Sequence, residues 1–218
     1  HIAVPRDRSV RASASRPLTD VRIHRPATPT PMTVDDFPLV HPAEVVACAL
    51  TCLDELDAIC VADAALNHGD TTKEEIAELL VGRYSKAARL RLDQADAAAR
   101  SHVETRTRLC LRETGLRVET GVVLEGIGEV DALVEGWLIV EDDGFEFHSS
   151  KEQFVRDRHR DQRALAAGYV PLRLTYDDVA AGEKAIVGIV SRALRGIAHS
   201  QRLYIPENRT VLRNLGWV

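Results

Sequence analysis

Residues 128–143 read GEVDALVEGWLIVEDD. Two apolar runs, Gly128 to Val134 and Trp137 to Asp143, flank Glu135-Gly136, a dipeptide suited to a tight turn, so the stretch is expected to form an antiparallel hairpin. Each run is mostly Val, Ile, Leu and Ala, as in a core strand covered by other elements, yet each carries carboxylates toward one end. An ionised carboxylate is costly to bury alone. Acids gathered at the rim of a core sheet therefore point to a cation, a basic partner or a perturbed proton.

Register decides whether these acids can share an ion, because a slip of one residue sends every side chain of a strand to the other face. A two-residue loop at Glu135-Gly136 pairs Asp131 with Val140 and turns Glu141 away. A three-residue loop centred on Gly136 pairs Asp131 with Glu141, and the sequence allows both. Only the second register serves a metal site: Asp143 then lies on the Glu141 face, completing a three-carboxylate pocket for a hard cation. Magnesium is the natural candidate and manganese an alternative, since either would neutralise phosphate charge and acidify a bound water.

Working outward, the spacing predicts a helix over 101–114, strands over 118–124, 128–134 and 137–143, a helix over 151–167, a strand over 170–174 and a helix over 177–198. This is an α/β arrangement, a mixed sheet flanked by helices. Upstream, Ala, Leu, Val and Cys recur at helical spacing over 42–53, 55–67 and 72–82, with Thr71-Thr72 and Glu74-Glu75 marking a helix start. The segment 84–98 is read as a further helix or the connector into the second half. Two short strand-like pieces, Ile2 to Val4 and Val21 to His24, precede the helices. The expected domains are a mainly helical module with short strands over 1–83, an α/β domain over 84–199, and a tail over 200–218.

Further side chains surround the acids. Gly144 follows the acidic strand and His148 lies a few residues on, where an imidazole could activate water or protonate a leaving oxygen; it could equally be an ordinary loop histidine. Glu104 sits near the start of the first helix of the α/β domain, where it either complements the helix dipole or reaches the pocket. Leu109 and Leu111 are taken to mark that helix's buried side. The run KEQFVRDRHRDQR, 151–163, is rich in Arg. Lys151, Arg156, Arg160 and, on the next strand, Arg173 are candidate phosphate contacts, against the alternative of a solvated helix laced with internal salt bridges.

The chain of 218 residues is 45% hydrophobic and 28% charged, with a net charge of −5, which argues against unspecific polyanion binding by the whole molecule. No apolar run approaches a membrane span, and a cytoplasmic location is expected. Cys48, Cys52, Cys60 and Cys110 form no CxxC pair and are read as reduced, partly buried thiols; Cys48 and Cys52 would share a helix face and could supply half of a metal site. The chain begins at His1 and its single Met is Met32, so it is read as a fragment of a longer product.

The run EVDALVEGWLIVEDDGFEFHSSKEQFVRDRHRDQRALAAGYVPLRLTYDDV, from Glu129, resembles a bacterial family of domains similar to the very-short-patch repair endonucleases, within the PD-(D/E)XK nuclease superfamily. The features that carry it are an Asp before a hairpin, an E-x-D-G strand end, a nearby His, an Arg/Asp-rich helix, and Ala-Ala-Gly-Tyr leading into a Leu-Arg strand, over about residues 101–180. The resemblance implies a restriction-endonuclease-like fold, Asp131 and Glu141 as metal ligands, Asp143 and His148 completing the site, and Glu104 contributing from the first helix. Asp143 stands where the superfamily's pattern has Lys, and Asp142 where relatives commonly carry an apolar residue. Repair-type relatives use His in this region, which makes His148 the substitute activator.

HIAVPR, DVRIHR and CLDELDAICVADAALNHGDTTKEEIAELL look like the middle region of actinobacterial proteins that join an AbiEi-antitoxin-like part to such a nuclease domain. Those proteins usually begin with a winged-helix segment, which this sequence lacks. The expected function is a metal-dependent endonuclease or nickase acting on DNA through phosphate contacts. The alternative is a non-catalytic DNA-binding or antitoxin-like regulator. A third reading is a structural module whose carboxylates pair with Arg156, Arg160 or Arg173.

Overall fold

In the computed structural model Val134 pairs with Leu138, Leu133 with Ile139 and Ala132 with Val140, which is the register of the three-residue connection. Glu135 and Gly136 hold φ of 52° and 76°, so both central residues of the turn take the left-handed region that the twist of a tight hairpin favours. The structure describes residues 2–4, 7–13, 19, 21–25, 31–34, 37–83, 85–143 and 151–201; the side chains of residues 31–34, 37–38, 143, 151–154 and 197–201 lie outside that description.

The chain divides into two units, the first running to Ala97 and the second starting at Ala98. The first carries β1 (Ile2–Ala3), β2 (Ile23–His24), β3 (Pro31–Val34), β4 (Phe37–Val40), α1 (Pro42–Cys52), α2 (Glu55–His68), α3 (Lys73–Leu79) and α4 (Ser85–Gln94). The β3–β4 hairpin was not expected, because Pro31 and Pro38 read against strands. A two-stranded sheet has only edges, and an edge tolerates a residue with no N–H to donate.

Ala43, Val46, Ala47, Leu50, Ala58, Ala62, Ile76, Ala88 and Leu92 form one buried cluster joining all four helices. Arg91 of α4 donates to the carbonyls of Leu50 and Leu53 at 2.7 and 3.1 Å. Residues 85–97 thus close the helical unit, and the boundary expected at 83/84 falls at 97/98. The expected start of α3 is a capping box: Glu75 N–H donates to the Thr72 hydroxyl at 3.2 Å, and the Glu75 carboxylate accepts from Thr72 N–H at 3.0 Å.

The second unit runs α5 (His102–Glu113), β5 (Val118–Leu124), β6 (Gly128–Val134), β7 (Leu138–Asp143), α6 (Lys151–Ala166), β8 (Val170–Thr175), α7 (Tyr176–Ala180) and α8 (Glu183–Gln201). The sheet order is β5-β6-β7-β8, antiparallel up to β7 and parallel between β7 and β8. A parallel neighbour needs a long crossover, which α6 supplies. On one face Leu138, Val140, Ala132 and Val134 pack with Leu111 of α5 and with Ile186, Val190 and Leu194 of α8. On the other Ile139 and Leu133 pack with Ala164 of α6. Sandwiched between these layers, β7 is apolar on both faces. This is a mixed sheet flanked by helices, as the sequence reading expected.

Two details differ from that reading. The helix expected over 177–198 breaks at Gly182, whose φ of 93° few other residues adopt, after a capping box between Thr175 and Asp178 starts α7. On α5 the buried stripe is Thr107, Arg108, Cys110 and Leu111, whereas Leu109 is only half-buried, because helical spacing cannot bring positions 109 and 111 to one face.

Candidate functional site

Asp131 stands where β6 leaves the regular ladder. Pairs run on either side of it, Thr120 with Ala132 and Val122 with Val130, but the rung between Gly121 and Asp131 is missing. Gly121 has φ of 59°, and a Cβ there would meet the Ala98 Cβ at 2.9 Å. The bend changes which face a side chain takes: Ala132 and Val134 join the α5–α8 core, while Val130 joins the α6 core. Freed from the ladder, the Asp131 carboxylate accepts the N–H of Asp142 at 3.0 Å, which ties it to β7 beside Glu141.

Glu141 is buried, its side chain 11% exposed, with Arg173 across the parallel rung. Burial first, and then the neighbouring Asp131 charge, push its carboxyl up to about 7; Arg160 and Arg173 oppose the rise. Glu104, at the start of α5, is pushed up as well, mainly by burial and further by Asp131. Its carboxylate accepts Arg100 N–H at 2.9 Å, and Ser101 caps the helix by accepting Glu104 N–H at 3.1 Å. Glu104 thus serves the helix start and lies within the field of Asp131.

The basic partners are specific. Arg100 places Nη2 3.1 Å from Asp131 Oδ1 and Nη1 3.3 Å from Glu129 Oε2. Arg160 of α6 places Nη2 3.0 Å from Glu141 Oε1 and also donates to the Glu129 carbonyl. Arg173 is bonded to Asp161 at 3.0 Å, and Asp161 also meets Arg158 at 3.4 Å. Among the described residues, the four carboxylates Glu104, Glu129, Asp131 and Glu141 therefore have two guanidinium groups bonded to them. Burial first, and then the charge of Asp131, holds the Glu104 and Glu141 carboxyls above their usual range.

Of the residues singled out from sequence, Asp131, Glu141 and Glu104 come together. The backbone of Asp143 continues β7 opposite Thr175, but its side chain, like that of Lys151, is outside the described set, and so is the whole of His148. Arg156 is exposed on α6, while Arg160 and Arg173 are engaged with carboxylates. Asp142 turns to the other face of β7 and accepts the Thr107 hydroxyl at 2.9 Å. The sequence reading missed Arg100 and Glu129. Arg100 lies in a polar connector without periodicity, and its one sequence signal is its place just before the cap of α5.

Among the described residues no three His, Cys, Asp or Glu side chains gather into a metal cage. Magnesium does not require one: it is commonly held by one or two carboxylates, with water and phosphate oxygens completing the octahedron, and Asp131 with Glu141 supplies that donor set. In the first unit Cys52 Sγ lies 3.9 Å from His24 Nε2, and Cys48, whose thiol is pushed up by burial and then by Cys52, stands on the same helix. None of the four cysteines is in a disulfide. No helix among the described residues is long and apolar enough to cross a membrane. Comparison of the chain with protein-family models, curated proteins and solved structures finds no match.

Proposed function

We propose that the second unit is a metal-dependent endonuclease or nickase that hydrolyses DNA phosphodiester bonds at the Asp131–Glu141 pair. The observation that carries this reading is the juxtaposition itself: two carboxylates on adjacent strands at the end of β7, tied by the Asp142 N–H, one of them pushed up to about 7 by burial and then by the other's charge. A divalent ion is the economical partner for such a pair. Bound there, it would supply Lewis-acid stabilisation of the phosphate and a more acidic water.

The chain's own residues would do the remaining work. Asp131 and Glu141 would hold the ion. Asp131 is oriented by the Asp142 N–H, which fixes one carboxylate oxygen and leaves the other turned toward Arg100. Asp143 would add a carboxylate from the end of β7, and His148 would take a proton from the attacking water or give one to the leaving oxygen. Arg156, exposed on α6, would track the backbone as a phosphate contact. The resemblance to repair-type endonucleases supports the same assignment.

A second reading has its own observation. Arg100 and Arg160 are bonded to the acid pair, as expected where the carboxylates serve structure, in an interaction module or in a non-catalytic DNA-binding regulator. Cleavage of supercoiled plasmid with magnesium, manganese or chelator separates the two. The nuclease reading expects metal-dependent nicking that falls by about 100-fold or more in both Asp131→Ala and Glu141→Ala. DNA binding without cleavage in all three proteins would establish the regulator instead.

A further inference from the structure

Arg100 and Arg160 take the very oxygens that a shared cation would need. Asp131 has its Oδ2 committed to the Asp142 N–H, so Oδ1 is its outward donor, and Arg100 Nη2 sits on it at 3.1 Å. Arg160 Nη2 sits on Glu141 Oε1 at 3.0 Å. Neither arginine makes the two-bonded fork that fixes a guanidinium on one carboxylate. Arg100 divides its two terminal nitrogens between Asp131 and Glu129, and Arg160 divides its contacts between the Glu141 carboxylate and the Glu129 carbonyl. The Arg100 side chain is 44% exposed, which leaves it room to turn outward.

We propose that Arg100 and Arg160 are exchangeable counter-charges: they occupy the acid pair while no cation is bound, and on cation binding they release Asp131 and Glu141 and transfer to the phosphate oxygens of the nucleic-acid backbone. This inference rests on the reading of the pair as a cation site. The exchange balances charge at both ends. A divalent ion replaces two guanidinium groups on two carboxylates, and the freed planar donors match a phosphodiester, the other anion that must enter the site. By linkage, phosphate and cation then favour one another to the same degree, so the site fills with metal chiefly when nucleic acid is present.

The test is manganese binding by the full chain, followed by calorimetry and electron paramagnetic resonance, in the wild type, Arg100→Gln, Arg160→Gln, Arg160→Lys and Glu141→Gln. Without nucleic acid, Arg100→Gln and Arg160→Gln should bind manganese about tenfold more tightly than the wild type, while Arg160→Lys stays near it and Glu141→Gln loses binding. Adding a short DNA oligonucleotide should tighten manganese binding by the wild type about tenfold and by the two Gln variants much less. If Glu141→Gln loses binding but both Arg→Gln variants bind manganese no better than the wild type, the exchange is overturned and the cation site stands. Absence of manganese binding in all five proteins, each shown folded by circular dichroism, overturns the exchange together with the reading beneath it.

Discussion

Two acidic spots on the second unit use the same residue types in opposite proportions. At Asp161 a single carboxylate is held by two arginines, Arg158 at 3.4 Å and Arg173 at 3.0 Å. At the strand ends, among the described residues, Glu104, Glu129, Asp131 and Glu141 have Arg100 and Arg160 bonded to them. The first spot is a closed structural joint between α6 and β8. At the second, among the described residues, carboxylates outnumber the guanidinium groups bonded to them, and burial, then the Asp131 charge, raises the Glu141 carboxyl to about 7. What marks a candidate site is therefore the balance of partners around the carboxylates more than their presence.

Substituting the acid by its amide at each spot should give stability changes of opposite sign. Glu141 is easier to protonate in the folded chain than in the unfolded one, so the folded state binds more protons between about pH 4.5 and 7. Stability should be greatest below that window and fall as pH rises through it, by an amount on the order of 3 kcal/mol by about pH 8. Glu141→Gln should abolish this loss and be the more stable protein at about pH 8, as read by denaturant melts across pH. Asp161→Asn should instead cost about 2 kcal/mol at neutral pH, because it leaves Arg158 and Arg173 facing one another across a half-buried joint. The smallest effect is expected from Arg158→Ala, below about 1 kcal/mol, since that arginine is 51% exposed and Asp161 keeps Arg173. A destabilising Glu141→Gln at about pH 8 would break the contrast.

How much of this could be read from sequence depends on whether the information was local. The hairpin over 128–143 was legible because its turn residues and apolar runs are contiguous, and the register followed once Glu135 and Gly136 both adopted positive φ. The β7–α6–β8 crossover was legible for the same reason. The break at Gly182 and the hairpin with Pro31 and Pro38 were not, since a glycine within a helical pattern and prolines in a short edge pair are outvoted by their neighbours. Of the site, Asp131, Glu141 and Glu104 were found because acids among apolar residues stand out. The pairing of Arg160 with a carboxylate was among the readings offered, whereas Arg100 was not, because its place is decided by tertiary approach. Gly121, inside an otherwise apolar strand, was an available sign of the bend that frees Asp131.

The central claim is that the Asp131–Glu141 pair is a site for a divalent ion, which displaces the arginines bonded to it. Thermal melts of the wild type and of Glu141→Gln at about pH 8, all with a short DNA oligonucleotide present and with or without millimolar magnesium, test it most directly. The account predicts that magnesium raises the wild-type Tm by several degrees and leaves Glu141→Gln unchanged, because the ion binds only the folded pair. A wild-type Tm indifferent to magnesium, or an equal rise in both proteins, would contradict it.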